Sequence, residues 1–176
     1  MVIIVTGTIG VGKTTVCRKL IQAARSRGYT CGGILTCKAA DKSIIVEDIH
    51  SGEKETLASI SNVYDGPHTA RYFFDPKGIC FGIQAIDKGI SAEILLVDEI
   101  GPLELRGEAF VRVIELIRTG KVRNCILVIR KNLLSAFLPR LNTEPVIFET
   151  TLDNRNQLPG EIEALLTQKM VKSEEP

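Results

Sequence analysis

The sequence predicts an α/β fold in which a mostly parallel β-sheet lies between two layers of helices, as in a three-layer sandwich. Short apolar runs rich in β-branched residues, typical of strands buried on both faces, occur at residues 1–5, 94–97 and 125–129. Amphipathic helical patterns separate these runs, which favours parallel pairing of the strands. A pair of strand-like segments at 32–38 and 43–48, joined by a polar turn, predicts an added β-hairpin.

The first strand leads into a glycine-rich loop with the spacing G-x-x-x-x-G-K-[ST], and a helix is predicted over residues 13–27. Glycines let the backbone approach phosphates, and the loop amides form an anion-binding site at a helix N-terminus. In this pattern the Lys13 ammonium reaches the terminal phosphates and the Thr14 hydroxyl ligates Mg²⁺. The alternative is a glycine-rich turn without a ligand. The residues predicted to bind phosphate are Gly7, Thr8, Ile9, Gly10, Val11, Gly12, Lys13, Thr14 and Thr15.

The region between the hairpin and the next parallel strand has the weakest pattern. Residues 51–78 contain several turn signals and a small aromatic cluster, so we expect loops and short strands near the nucleotide, with a lid as one interpretation. A helix is predicted over residues 79–90, although Gly82 is unfavourable inside a helix.

The strand at 94–97 ends in two adjacent carboxylates, Asp98 and Glu99. The carboxyl ends of parallel strands face the ligand crevice, so Asp98 is placed to hold Mg²⁺. Glu99 beside it is placed to polarise a water for attack on a γ-phosphoryl group. A solvated acid or a helix N-terminal acid is the alternative for Glu99. By analogy, the Asp-Glu pair also indicates a sheet in which another strand separates this strand from the first.

The remaining segments continue the α/β pattern. A helix is predicted at 108–118, a buried strand at 125–129 and a short helix at 133–141 interrupted by Pro139. A last strand begins at 146, and a helix follows over 159–170.

Length and composition limit the class of protein. The chain has 176 residues and a net charge of +1, which predicts one domain over 1–171 and a frayed tail at 172–176. The small net charge, the 5% aromatic content and the absence of Trp argue against a nucleic-acid partner. No apolar run approaches the ~18 residues of a spanning helix, so no membrane partner is expected. Five cysteines without C-x-x-C spacing indicate free thiols and a cytoplasmic location.

Four stretches resemble the small P-loop nucleoside-triphosphatase family that includes the thermophilic nucleoside-triphosphatases and the human cancer-related nucleoside triphosphatase. They are residues 5–15, residues 33–36 with 46–53 and 57–58, residues 97–105 and residues 150–158. The resemblance implies a RecA-like or kinase-like core. It also implies slow, Mg²⁺-dependent hydrolysis of ATP, GTP and other nucleoside triphosphates to diphosphate and phosphate.

The resemblance assigns further candidate residues and leaves their alternatives open. Asn154 and Arg155 follow the last strand, where many P-loop folds contact the base or the phosphates; a helix cap and a structural bond are the alternatives. Glu104 is either part of the site or an acid that bonds the backbone. The chain departs from the family at Arg130, which either stabilises the γ-phosphate charge as an arginine finger or is a solvated loop residue.

The predicted activity is therefore hydrolysis of nucleoside triphosphates with low base selectivity, by a protein expected to be a monomer. The predicted catalytic residues are Lys13, Glu99 and Arg130, and the predicted metal ligands are Thr14 and Asp98. Two other classes fit the same core: a kinase that phosphorylates a nucleoside or nucleotide, and a nucleotide-timed switch or adaptor.

Overall fold

The computed structural model describes residues 1–172, and its eight strands form one sheet. The strand order is β5-β4-β3-β2-β6-β7-β1-β8. The strands are β1 (Val2–Gly7), β2 (Cys31–Lys38), β3 (Ile44–Asp48), β4 (Lys54–Ser59), β5 (Phe73–Phe74), β6 (Ile94–Ile100), β7 (Cys125–Arg130) and β8 (Val146–Glu149).

The half of the sheet around β1 is parallel, and the other half is antiparallel. Strands β2, β6, β7, β1 and β8 pair in parallel, whereas β3, β4 and β5 extend the sheet with antiparallel pairs. The predicted hairpin, β2 with β3, is confirmed. Strand β7 lies between β1 and β6, which confirms the strand separation inferred from the Asp-Glu pair. The carboxyl ends of β1, β6 and β7 therefore meet at one edge.

Helices cover both faces of the sheet, which confirms the predicted fold class. They are α1 (Lys13–Ser26), α2 (Pro76–Lys88), α3 (Pro102–Leu105), α4 (Arg112–Arg118), α5 (Leu134–Phe137) and α6 (Leu158–Lys172). Apolar residues of α1 and α6 pack on one face, and those of α2, α4 and α5 pack on the other. Among residues 1–172, no helix combines the length and the apolar character needed to cross a membrane. Of the predicted tail, only Lys172 is described, as the last residue of α6.

Helix α2 begins three residues before the predicted start. Asp75 caps it by accepting a hydrogen bond from the Lys77 N–H at 2.9 Å, and Pro76 occupies the first helical position. Gly82 lies inside the helix because the ring of Phe110 packs against it. A Cβ at this position would lie 2.4 Å from Phe110 Cε1. Close packing against the ring thus explains a glycine that helix propensity disfavours.

Two other predicted helices are shorter than expected. The segment at 108–118 contains a 3-10 turn at Ala109–Val111 before α4. The segment at 133–141 contains α5 between two 3-10 turns, Lys131–Leu133 and Leu138–Arg140. Pro139 lies in the second turn, where it ends the helical hydrogen bonding as predicted.

The weakly patterned region 51–78 supplies the two outer strands, β4 and β5, and the start of α2. Strand β4 runs in the same direction as β2, so the loop that follows it begins at the same edge of the sheet as the glycine-rich loop. Arg106, after β6, donates a hydrogen bond at 2.9 Å to the carbonyl of His68 in this loop. Loops and short strands are confirmed here, and the lid stays a prediction.

Candidate active site

The glycine-rich loop connects the buried strand β1 to the N-terminus of α1. Gly7 has a φ of 144°, and a Cβ there would lie 2.6 Å from the carbonyl oxygen of Thr150. Gly12 precedes the helix with a φ of 106°, a conformation that L side chains disfavour. Both glycines are thus required by the backbone path. The strand, loop and helix occur in the predicted order, which gives a helix N-terminus able to bind anions.

Lys13 lies within the curve of this loop. Its ammonium donates hydrogen bonds to the carbonyl of Gly7 at 3.1 Å and to that of Thr8 at 2.7 Å. Burial lowers the pKa of Lys13, and the nearby carboxylates of Glu99 and Asp98 partly offset this effect. The single cation of the loop is therefore placed beside both carboxylates at the end of β6.

Asp98 is almost fully buried, with 1% of its surface exposed, and both of its carboxylate oxygens accept hydrogen bonds. Oδ2 accepts from the Thr14 hydroxyl at 2.8 Å, from the Thr36 hydroxyl at 3.1 Å and from the Thr36 N–H at 3.2 Å. Oδ1 accepts from the Glu99 N–H at 2.9 Å. The two predicted metal ligands, Thr14 and Asp98, are thus in direct contact.

The pKa of Asp98 is raised to about 6, chiefly by burial and then by the negative charge of Glu99. The hydrogen bonds from Thr14 and Thr36 oppose this rise, because they stabilise the ionised form. A further positive charge beside the remaining lone pair of Asp98 would stabilise the ionised carboxylate.

Glu99 has an unusual backbone conformation. Its φ is 68°, and the pairing of β6 with β7 is interrupted between Val97 and Ile100. A non-glycine residue at positive φ costs roughly 1–2 kcal/mol, and such residues cluster at functional sites. The bulge leaves the Glu99 side chain about one-third exposed at the carboxyl edge of the sheet. Glutamate is not among the residues that favour positive φ, so the residue type at this position does not predict the bulge.

Arg130 lies at the end of β7, in register with Gly7 on β1. One guanidinium nitrogen lies 3.3 Å from Glu99 Oε2, and both side chains are about one-third exposed. The next residue, Lys131, pairs instead with Glu149 at 2.6 Å. Arg130 therefore lies beside the glycine-rich loop and the predicted water-activating carboxylate.

The loop after β8 lies against the glycine-rich loop. The Asn154 side chain holds it together, because its oxygen accepts from the Thr151 N–H at 2.8 Å and its amide donates to the Glu149 carbonyl at 2.9 Å. Arg155 follows, and a Cβ at Gly12 would lie 3.5 Å from Arg155 Cδ. Asn154 thus acts in loop structure, and Arg155 is adjacent to the start of α1.

Glu104 bonds the backbone, as one of its two predicted alternatives requires. One carboxylate oxygen accepts from the Gly101 N–H at 2.7 Å, and the other accepts from the Phe110 N–H at 3.1 Å. The side chain is 3% exposed, and burial raises its pKa to about 7. Glu104 therefore ties the turn after Glu99 to the segment that precedes α4.

The raised pKa of Glu104 makes the free energy of unfolding depend on pH. The folded carboxyl titrates at about 7, against an ordinary value of 4.5, so the folded state binds the proton more tightly. This group's contribution to the free energy of unfolding therefore falls as pH rises through that window, by on the order of 3 kcal/mol. Urea denaturation of wild type and Glu104→Gln at about pH 5 and about pH 8 should show the variant gaining relative stability at the higher pH.

The readout is the change with pH in the stability difference between wild type and Glu104→Gln. The variant is less stable at every pH, because glutamine has one acceptor oxygen for two backbone N–H groups. The Glu161→Gln variant, at an exposed position of α6, controls for the loss of one carboxylate. Parallel pH profiles for wild type and Glu104→Gln would contradict the assignment.

Sequence reasoning missed one residue of this cluster, Thr36. It lies on β2, more than sixty positions from Asp98 in sequence, and it contributes two of the donors to that carboxylate. A threonine within an apolar strand is an ordinary β residue, so the pattern alone carries no sign of this role.

Comparison with known proteins places this site in a family. The sequence profile of the family described as NTPase matches residues 2–163. Nucleoside-triphosphatase THEP1 of Pyrococcus abyssi is 30% identical over 166 residues, covering 90% of this chain and 88% of its own. The protein of the same name from Methanopyrus kandleri is 27% identical, covering 91% of this chain and 92% of its own.

A solved structure has the same fold. The crystal structure of THEP1 from Aquifex aeolicus superposes with a TM-score of 0.77 at 22% identity, and the match covers 94% of this chain and 99% of that one. The family match over nearly the whole length and the P-loop geometry agree. The chain belongs to the NTPase family and is a P-loop nucleoside-triphosphatase.

Proposed function

We propose that this protein hydrolyses nucleoside triphosphates to nucleoside diphosphate and phosphate in a Mg²⁺-dependent reaction with low base selectivity. The observation that carries the proposal is the convergence of three features at one edge of the sheet. These are the Lys13 ammonium inside the loop, the Thr14–Asp98 contact of 2.8 Å, and the partly exposed carboxylate of Glu99.

The donor set suits Mg²⁺, which prefers oxygen ligands and retains several waters. Thr14 offers a hydroxyl, and Asp98 offers a buried carboxylate whose Oδ1 accepts only one of the hydrogen bonds described. Thr14 and Asp98 would hold the ion together with the phosphates. When bound, Mg²⁺ supplies positive charge that neutralises the charge developing on the phosphate oxygens.

The chain's own residues have separate roles in this proposal. The loop amides and Lys13 bind the phosphates and orient the γ-phosphoryl group. Glu99 accepts a hydrogen bond from a water and takes its proton as the water oxygen bonds to the γ-phosphorus. The bond from that phosphorus to the bridging oxygen breaks, and the charge left on the nucleoside diphosphate lies near Lys13.

Low base selectivity is supported by the loop after β8. Both polar atoms of the Asn154 side-chain amide form hydrogen bonds with the backbone of this loop. We therefore expect Asn154 not to recognise the edge of a base. Arg155, whose side chain lies beside Gly12, is proposed to contact the phosphates or the base through its charge and its flat guanidinium. Neither contact selects strongly for one base.

The proposal is tested by phosphate release from ATP, GTP, CTP and UTP, with Mg²⁺ and with a chelator, in the absence of any acceptor. We expect release from each nucleotide only with the metal, with kcat/KM values within about tenfold of one another. Release that requires an added nucleoside would indicate a kinase instead. Release from one nucleotide alone would contradict the low selectivity.

Arg130 is proposed to stabilise the charge of the transferred phosphoryl group, because it lies in register with Gly7 and contacts Glu99. Replacing it with Ala should lower kcat by about a hundredfold while KM changes little, since an arginine finger acts mainly in the transition state. Steady-state phosphate release measures both constants.

Lys131→Ala is the matched control for this variant. Lys131 is the adjacent cation on the same segment, but it pairs with Glu149 rather than Glu99. We expect kcat of the control within about twofold of wild type. Equal kcat values for wild type and Arg130→Ala would assign Arg130 to the loop surface.

A further inference from the structure

We propose that Thr36 is a positioning residue that fixes the Asp98 carboxylate for Mg²⁺ binding, an inference that rests on the proposed metal-dependent function. Thr36 lies on β2, outside the glycine-rich loop and outside the strand that carries the carboxylates. It is nevertheless joined to Asp98 through both its hydroxyl and its backbone N–H.

The local pairing of β2 explains why both donors are available. The parallel ladder between β2 and β6 ends at the pair Ile34 and Val97. Beyond that pair, β6 contains the bulge at Glu99, so its backbone no longer continues the ladder. The Thr36 N–H donates to the Asp98 side chain instead, and its hydroxyl donates to the same oxygen.

These bonds fix the orientation of the carboxylate. Oδ2 accepts from Thr36 twice and from Thr14 once, so its lone pairs are fully used. Oδ1 accepts from the Glu99 N–H, which leaves a lone pair on that oxygen. With Thr36 3% exposed and Asp98 1% exposed, bulk water does not replace a lost donor freely. Removal of the Thr36 hydroxyl therefore loosens the orientation of the carboxylate, which is then held only by Thr14, the Thr36 N–H and the Glu99 N–H.

The test is a titration of nucleotide binding against Mg²⁺ for wild type, Thr36→Val and Thr36→Ser. Valine keeps the shape and the N–H but removes the hydroxyl, and serine retains a hydroxyl donor. We expect Thr36→Val to raise the half-saturating Mg²⁺ concentration about tenfold, as for loss of one hydrogen bond to a charged group. Nucleotide affinity in chelator should stay within about twofold of wild type, and Thr36→Ser should restore most of the metal affinity.

Thr6→Val is the matched control. Thr6 is 2% exposed on β1, which β6 and β7 separate from β2, and within residues 1–172 its hydroxyl has no hydrogen-bond partner. The same chemical change there should leave the Mg²⁺ titration unaltered. If Thr36→Val does not fold, Thr36→Cys, with a weak donor of similar size, replaces it, and an increase in half-saturating Mg²⁺ smaller than tenfold is expected.

The outcomes separate the inference from the proposed function. A wild-type protein whose nucleotide binding ignores Mg²⁺ would overturn the proposed metal dependence itself. A wild type that responds to Mg²⁺, with a folded Thr36→Val or Thr36→Cys variant that responds at the same concentration, would overturn the role of Thr36 alone. An equal effect of Thr36→Val and Thr36→Ser would also overturn it, because the serine keeps the donor.

Discussion

Glu99→Gln should lower kcat for phosphate release by about a thousandfold while nucleotide and Mg²⁺ still bind. Glutamine keeps the size of the side chain but cannot accept the proton of the attacking water. The Thr14–Asp98 contact and the Lys13 hydrogen bonds do not involve the Glu99 side chain, so the binding groups remain in place. Single-turnover hydrolysis and equilibrium binding of the same preparation measure the two effects separately.

The backbone of Glu99 offers an internal check on this result. Its φ of 68° arises from the bulge in β6 and does not depend on the carboxylate. The thermal unfolding midpoint of Glu99→Gln should therefore stay close to that of wild type. Turnover within a few-fold of wild type would remove Glu99 from the mechanism.

Lys13→Ala should weaken both nucleotide binding and hydrolysis, because the Lys13 ammonium is proposed to contact the phosphates in the ground state and in the transition state. We expect nucleotide affinity to fall by roughly a hundredfold and kcat by about a thousandfold. The ammonium also donates hydrogen bonds to two carbonyls of the glycine-rich loop, and alanine removes both of them. Binding and phosphate release are measured on the same variant.

Lys19→Ala is the control for Lys13→Ala. Lys19 is an exposed residue of the same helix, and its ammonium lies 3.4 Å from Asn156 Oδ1. The Lys19→Ala substitution removes one positive charge without altering the glycine-rich loop, so the kinetic constants of this variant should resemble those of wild type. A Lys13→Ala variant that still binds nucleotide as tightly as Lys19→Ala would contradict the placement of the phosphates at this loop.

The parts of the fold that depend on local pattern could be predicted from the sequence. Runs of β-branched residues identified the parallel strands, and the glycine spacing identified the loop between β1 and α1. The outer strands β4 and β5 could not be predicted in detail, since they are short and their burial depends on neighbours distant in sequence. Gly82 counted against a helix that the structure nevertheless contains, because the glycine is explained by a tertiary contact with Phe110.

The candidate site likewise combines features that local sequence patterns predict with features that depend on tertiary contacts. Asp98 was located by its position after an apolar strand, and its contact with Thr14 follows from the parallel topology. The positive φ of Glu99 and the hydrogen bonds that Thr36 donates could not be predicted. Neither a bulge nor a contact between strands produces a recognisable residue pattern in the sequence. Arg130 departs from the family pattern in sequence, and the register of β7 with β1 places it beside Gly7.

We propose that water, rather than a second substrate, receives the γ-phosphoryl group at this site. The most direct measurement is turnover of a nucleoside triphosphate with Mg²⁺ in ¹⁸O-labelled water, followed by mass spectrometry of both products. We expect one ¹⁸O atom in the released phosphate and none in the nucleoside diphosphate, with formation of both products lost in Glu99→Gln. Label in the diphosphate, or no release until an acceptor is added, would contradict it.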